Sequence, residues 1–129
     1  MCLANKFLTR FEELSNEMEK EYKRLKRLNS EYDKKMNNFY HKLEVVKFNA
    51  AEGYYLAKEM QDIARQRRVI KNELYKLQAV ADRMDLKLII DKSNTTRKVL
   101  NKIHKDESSD KHYVKEWAHN YRVEDLQVH

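Results

Sequence analysis

A regular spacing of apolar residues over residues 56–88 is the feature that most constrains the fold of this chain. Along this segment, successive apolar side chains are separated alternately by four and three residues, and only Arg67 interrupts the series. This spacing is typical of a helix that packs one narrow stripe of its surface against another helix. The residues in register are Leu56, Met60, Ile63, Ile70, Leu74, Leu77, Ala81, Met84 and Leu88.

A second apolar stripe occupies residues 7–46. Its main positions recur every seven residues, and where the companion position becomes polar the next residue is apolar instead. The period therefore drifts from 3.5 towards 3.6, as a helix without supercoiling requires. We predict helices over about 4–48 and 54–92. The first stripe comprises Phe11, Met18, Leu25, Tyr32, Phe39 and Val46, with Phe7, Leu14 and Leu28 beside them and Tyr22, Met36 and Leu43 as the substitutes.

The chain is expected to reverse direction between the two segments. We place the reversal within residues 49–54, because Gly53 is the only glycine and adopts a left-handed cap at the lowest cost, with Asn49 next. The competing hypothesis is one uninterrupted helix through Gly53 that dimerises with a second rod, since Ala50, Ala51 and Glu52 favour helix. The similar lengths of the two segments favour the hairpin.

The remaining third predicts shorter helices. Four consecutive residues, Ser93 to Thr96, are poor in helix interiors, so we expect a break at 91–96, a short helix over 97–105 and a loop over 106–110. The predicted fold is all-α: a long antiparallel two-helix coiled-coil hairpin over 1–92, with one or two short C-terminal helices over 93–129 packed at its open end. The absence of proline agrees with this class.

A last helix through about residue 121 would carry an aromatic cluster on one side. Its members are Tyr113, Trp117 and Tyr121. The simpler hypothesis is that they cover the apolar residues 86–90 of the hairpin. The alternative is an exposed aromatic anchor for another protein, because aromatic clusters often dominate interface energies.

The sequence shows no pattern that predicts catalysis, a cofactor or a metal. One glycine excludes a phosphate-binding loop or a dinucleotide fingerprint, and the single cysteine, Cys2, has no partner thiol. His112 and His119 share a predicted helix face, but two turns separate them, which is too far for one ion without other ligands. We therefore predict no enzymatic activity, no cofactor, no metal and no small-molecule substrate.

Positive charge is the main functional signal. The net charge is +6, and the excess is spread along the chain rather than held in a tail. Two local clusters are candidate contacts for phosphate or for an acidic partner. With a turn centred near Ala51, Arg67 would lie beside Lys35, neutralised by carboxylates such as Glu31 or Glu59, open to solvent or bound to an anion. The clusters are Lys23, Arg24, Lys26 and Arg27 on the first helix, and Arg65, Arg67, Arg68 and Lys71 on the second.

These features predict a non-enzymatic coiled-coil interaction protein: an adaptor, assembly factor or inhibitor that docks onto a larger protein machine. A rod with so little core is expected to form a homodimer or higher oligomer. The alternative is a basic accessory protein that contacts nucleic-acid backbone phosphates without strong sequence preference, and a filament or shell subunit is a third hypothesis. No apolar run is long enough to span a bilayer, so we expect no membrane association and a cytoplasmic location.

Overall fold

The computed structural model describes residues 2–109 and 120–127. These residues contain three α-helices, α1 (Leu3–Val45), α2 (Ala50–Arg83) and α3 (Leu86–Ser109), and a short 3-10 turn at Val123–Asp125. No strand occurs among these residues. They form two compact units: a hairpin unit of residues 13–89, and a terminal unit made up of residues 2–12, 90–109 and 120–127.

In the hairpin unit, α1 and α2 pack extensively against each other, which is consistent with a helical hairpin. Met36 and Phe39 of α1 and Ile63 of α2 form a buried cluster, and Leu43 and Leu56 pack against it. All five belong to the two stripes predicted from the sequence. Residues 46–49 are not helical, so the alternative of one uninterrupted helix is wrong.

The reversal lies a few residues earlier than predicted. Asn49 is the N-cap of α2, and its side-chain oxygen accepts a hydrogen bond of 2.9 Å from the backbone N–H of Glu52. The Glu52 carboxylate in turn accepts a hydrogen bond of 3.4 Å from the Asn49 amide. These reciprocal bonds satisfy donors that the first turn of a helix leaves unpaired. Asn49 therefore starts the helix that we predict to begin only after Gly53.

The left-handed conformation predicted for Gly53 is wrong. Gly53 lies in the second turn of α2 and has no positive φ. What its missing side chain allows is the close approach of Phe48, because a Cβ at this position would lie 3.1 Å from the Phe48 Cδ2. Phe48 precedes the N-cap, so its ring lies where a hydrophobic staple contacts the second turn. The glycine thus accommodates an aromatic ring rather than a turn.

The second helix ends at Arg83, well before the predicted residue 92. Asp85 has φ 49°, in the left-handed region, and this one residue breaks the helix. The side chain of Asp85 also accepts a hydrogen bond of 3.3 Å from the N–H of Leu88, and its carbonyl accepts one of 3.0 Å from Ile89. Aspartate tolerates the left-handed region better than most residues and is a favoured N-cap. It can therefore end α2 and start α3 without a loop.

Substitution of Asp85 should separate these two contributions. Asp85→Ala is expected to lower the free energy of unfolding by about 2 kcal/mol, because alanine is strained at this φ and cannot cap α3. Asp85→Asn keeps both properties and should stay within about 0.5 kcal/mol of wild type. Thermal and urea unfolding followed by circular dichroism would measure this. Equal stability of the alanine and asparagine variants would contradict the role given to Asp85.

The break predicted at residues 91–96 is also wrong, because this segment lies inside α3. The Thr95 hydroxyl donates a hydrogen bond of 2.9 Å to the carbonyl of Asp91, and Ser93 is buried. Such bonding lets threonine stay in a helix, and burial outweighs a weak intrinsic preference. The predicted loop at 106–110 is helical up to Ser109, so one helix of 24 residues replaces the short helix expected over 97–105. The predicted division after residue 92 falls within this helix.

In the terminal unit, the covered side of α1 differs from the predicted stripe. Leu8 is buried, whereas Phe7 and Phe11 are 51% and 62% exposed. Asn5, Thr9 and Glu12 share the covered side with Leu8, and hydrogen bonds join all three of them to Arg97 of α3. The start of α1 therefore turns a polar side towards α3. In the hairpin unit, Leu14, also predicted in the stripe, is 61% exposed.

Candidate interaction surfaces

The basic cluster on α1 is mostly paired within its own helix. Lys23 lies 3.2 Å from Glu19, and Arg24 donates a hydrogen bond of 2.9 Å to Glu21. The ammonium of Lys26 lies 5.0 Å from the centre of the Tyr22 ring, within cation–π distance. Arg27 is exposed, and no ion pair joins it to another described residue.

The basic cluster on α2 is divided between the hairpin seam and the open surface. Arg67 donates a hydrogen bond of 2.6 Å to the Asp33 carboxylate, and Lys71 lies 3.6 Å from the same oxygen. The hydrogen bond from Arg67 lowers the pKa of Asp33 below its ordinary value, with the charge of Lys71 adding to the effect and partial burial opposing it. Arg65 and Arg68 are exposed and have no ion pair within the described part of the chain.

Arg67 therefore contacts a different residue from the one expected. The sequence predicts a position beside Lys35, with Glu31 or Glu59 as the neutralising group, whereas the structure pairs Arg67 with Asp33. The cross-helix pairs Asp33–Arg67 and Lys42–Glu59 are centred near residue 50 rather than 51, so the α1 position opposite Arg67 shifts back by two residues. A polar pair at this interruption of the stripe can fix the register of two helices. This explains Arg67 without a bound anion.

The two basic clusters are not joined to each other. No hydrogen bond or ion pair between the described residues connects the α1 cluster with the α2 cluster. Both belong to the hairpin unit. Their use as a phosphate or acidic-partner site stays a prediction, and the exposed members that carry it are Arg27, Arg65 and Arg68.

An aromatic and aliphatic surface, not identified from the sequence, surrounds the reversal. Five residues within eleven positions make up this tip surface, and the rings of its two tyrosines lie edge to face with centroids 5.6 Å apart. Apolar patches on a protein surface often mark interaction sites, and aromatic residues are enriched in protein interfaces. The tip residues and their exposed fractions are Val45 (80%), Val46 (37%), Phe48 (53%), Tyr54 (63%) and Tyr55 (70%).

In the terminal unit, four side chains form what we term the Arg97 clasp. The Arg97 guanidinium donates hydrogen bonds to Glu12 at 2.5 and 3.3 Å, to Thr9 at 3.1 Å and to the Asn5 amide oxygen. The hydrogen bond from Arg97 lowers the pKa of Glu12 below its ordinary value of 4.5, and the pKa of Arg97 is raised by the same contact. Bidentate pairs of this kind have defined geometry. The clasp is a structural contact between α1 and α3, which no local pattern predicts.

The predicted aromatic anchor can be assessed at one residue. Tyr113 and Trp117 lie outside the described residues, and so does the proposed covering of residues 86–90 by them. Tyr121 is described; it is 64% exposed and lies just before the 3-10 turn rather than in a helix. The anchor therefore stays a prediction.

The described residues show no metal centre. Within residues 2–109 and 120–127, no group of three histidine, cysteine, aspartate or glutamate side chains could hold an ion. His112 and His119 lie outside that part of the chain. Cys2 contacts His104, with 3.4 Å between Sγ and Nε2, and its sulfur accepts a hydrogen bond of 3.3 Å from the N–H of Asn5.

Comparison with known proteins gives no relative: no family model, no curated protein and no solved structure matches the chain. Among the described helices, none has the length and apolar character needed to cross a membrane.

Proposed function

We propose that this chain is a non-enzymatic coiled-coil interaction protein that associates with itself and docks onto a larger protein, as an adaptor, assembly factor or inhibitor. The observation that supports the proposal is that few apolar side chains are buried and many are exposed. Among the described residues, only Leu8, Met36, Phe39 and Ile63 are buried apolar side chains, while large apolar residues are exposed on every helix. A chain of this size gains little stability from so small a core. Association would cover part of the exposed apolar area.

Two ion pairs across the hairpin support an antiparallel coiled coil as its finer arrangement. Lys42 of α1 lies 3.6 Å from Glu59 of α2. The second pair, Asp33 with Arg67, lies nine residues earlier in α1 and eight residues later in α2. The two helices therefore run in opposite directions past each other, as antiparallel pairing requires. Together with the seven-residue stripes, it favours a coiled-coil seam with a polar layer at Asp33 and Arg67.

The tip surface is the candidate docking site for the larger partner. Its residues project from the end of two helices and from the segment that connects them, so a partner could receive them in an apolar pocket. Exposed tyrosine and phenylalanine lose little conformational entropy on binding relative to the area they bury. The neighbouring Lys47 and Lys58 would favour an acidic rim around that pocket.

Affinity capture from native cells would test the docking proposal. A double variant, Val45→Ser with Tyr54→Ser, removes two exposed tip side chains, and Tyr75→Ser is the control because Tyr75 is 76% exposed outside the tip. We expect a protein that the wild type and the control retain after nuclease treatment and that the tip variant loses. Equal capture by all three would contradict docking through the tip.

The alternative, binding to nucleic-acid backbone phosphates, is supported by the unpaired exposure of Arg65 and Arg68 on α2. Charge reversal of these two residues leaves the Asp33–Arg67 pair intact. If this function applies, the double reversal abolishes a salt-sensitive affinity for duplex or RNA, because phosphate contacts release counterions. Under the leading proposal, the wild type shows no such affinity at physiological salt.

A further inference from the structure

The second helix carries another stripe of heptad spacing, displaced by one residue from the stripe that contacts α1. It is exposed along its whole length and contains three large apolar residues, Tyr55 (70% exposed), Val69 (63%) and Val80 (47%), spaced among polar residues. Since each residue turns a helix by 100°, this stripe flanks the seam on the side away from Arg67 and Lys71. One position of this register, Glu59, pairs with Lys42 of α1 and is set apart. We term the other positions the second stripe; its members are Tyr55, Asp62, Gln66, Val69, Glu73, Lys76 and Val80.

We propose that the second stripe binds the same stripe of a second copy of the chain, with the two α2 helices antiparallel and crossing at Val69. This names the surface for the self-association in the proposed function and rests on it. A two-fold axis through Val69 places the same residue of each copy at the centre of the interface. Such isologous pairing closes at a dimer.

Charge complementarity selects this partner and this direction. In an antiparallel pair centred on Val69, residues equally far before and after it face each other, so the three charged members of the second stripe, Asp62, Glu73 and Lys76, each meet an opposite charge. A parallel pair in register would instead bring Asp62 against Asp62 and Lys76 against Lys76, which is unfavourable. The facing residues are Asp62 with Lys76, Arg65 with Glu73 and Gln66 with Asn72, and the two-fold axis repeats each pair.

The surface beside the second stripe has room for side chains of a second helix. Two depressions lie there. The first, of about 400 Å³, is lined by residues that include Tyr32, Gln66, Val69 and Ile70. The second, of about 350 Å³, is lined by residues that include Asp62 and Gln66. On the other side of the seam, the Asp33 carboxylate contacts both Arg67 and Lys71, so charges of the same hairpin already neutralise each other there. The open side of the hairpin is therefore the one that carries the complementary charges.

The apolar centre of this interface is small, so the association should be concentration-dependent and weakened by salt. The charge pairs can be tested by exchange between chains. Asp62→Lys alone and Lys76→Asp alone each create two repulsive contacts and should weaken dimerisation at least about tenfold in sedimentation equilibrium. An equimolar mixture of the two variants restores both contacts, as does the double variant with itself. Both should return to within about threefold of wild type.

The control is Asp82→Lys, which makes the same charge change at an exposed α2 residue outside the second stripe. Circular dichroism of each variant would verify folding. Dimerisation of both single variants at wild-type strength, or failure of the mixture to recover, would overturn the proposed interface while leaving self-association through another surface intact. A wild type that stays monomeric at every concentration would overturn self-association itself.

Discussion

Phe39→Ala should lower the free energy of unfolding by about 3–5 kcal/mol, the range for large-to-small changes at buried aromatic positions. Phe39 is 4% exposed and lies in the single buried cluster found among the described residues, with Met36 and Ile63. Net stability of a domain is typically about 5–15 kcal/mol. This one substitution would therefore remove a large share of it.

The neighbouring Tyr40→Ala provides the comparison, because Tyr40 is 50% exposed on the same helix. It should cost less than about 1 kcal/mol. Urea unfolding at one fixed protein concentration would measure both variants, since self-association makes stability depend on concentration. Similar losses for the two residues would mean that the Met36–Phe39–Ile63 cluster is not the core of the hairpin.

Arg97→Met should lower the melting temperature at neutral pH. We also expect the wild type to lose stability in acid, and this variant to lack the part of that loss that comes from Glu12. The pKa of Glu12 is lower in the folded protein because Arg97 donates hydrogen bonds to its carboxylate. A lowered pKa means that the contact stabilises the fold at pH values above 4.5, the ordinary pKa of Glu12. That stabilisation is lost as the pH falls from 4.5 through the folded-state pKa, because protonation removes the charge.

Melting temperatures of wild type and Arg97→Met between pH 7 and pH 2 would test this, with Lys98→Met as the control at an exposed neighbour. The difference between wild type and Arg97→Met should narrow as the pH falls below 4.5. Combining Arg97→Met with Glu12→Gln should recover part of the loss, since it removes the negative charge that Arg97 balances in the wild type. A difference that is constant over the whole pH range would show that the ion pair contributes nothing.

The sequence predicted the helical segments of the hairpin well because their pattern is local and repeated. Met36, Phe39, Leu43, Leu56 and Ile63 all belong to the two predicted stripes, and all contribute to the observed core. A stripe of this length needs no knowledge of distant residues, since its period alone determines which side of a helix is apolar.

The errors arose where single residues decide the backbone. The conformational freedom of glycine favours a reversal that includes Gly53, but reciprocal capping by Asn49 and Glu52 starts α2 before it. The pattern Asn-x-x-Glu at residues 49–52 is the signal that would have located this boundary. No comparable pattern marks Asp85 in the sequence, because aspartate also occurs inside helices. Its left-handed φ arises where α2 ends and α3 begins.

The candidate contacts were harder to predict than the helices. Lys23, Arg24 and Lys26 were identified as a basic cluster, but their partners lie within a turn of α1 and leave mainly Arg27 open. The sequence did not predict Asp33 as the partner of Arg67, because an error of one residue in the centre of the pairing displaces the opposite residue by two. The Arg97 clasp joins residues more than eighty positions apart, and no periodicity connects them.

The most direct test of the central claim is the mass of the wild-type protein in solution as a function of concentration, measured by sedimentation equilibrium at physiological salt. We expect the mass to rise from the chain mass of 15.7 kDa towards twice that value, with a weaker rise at high salt. A mass that stays at 15.7 kDa up to the highest concentration would contradict it.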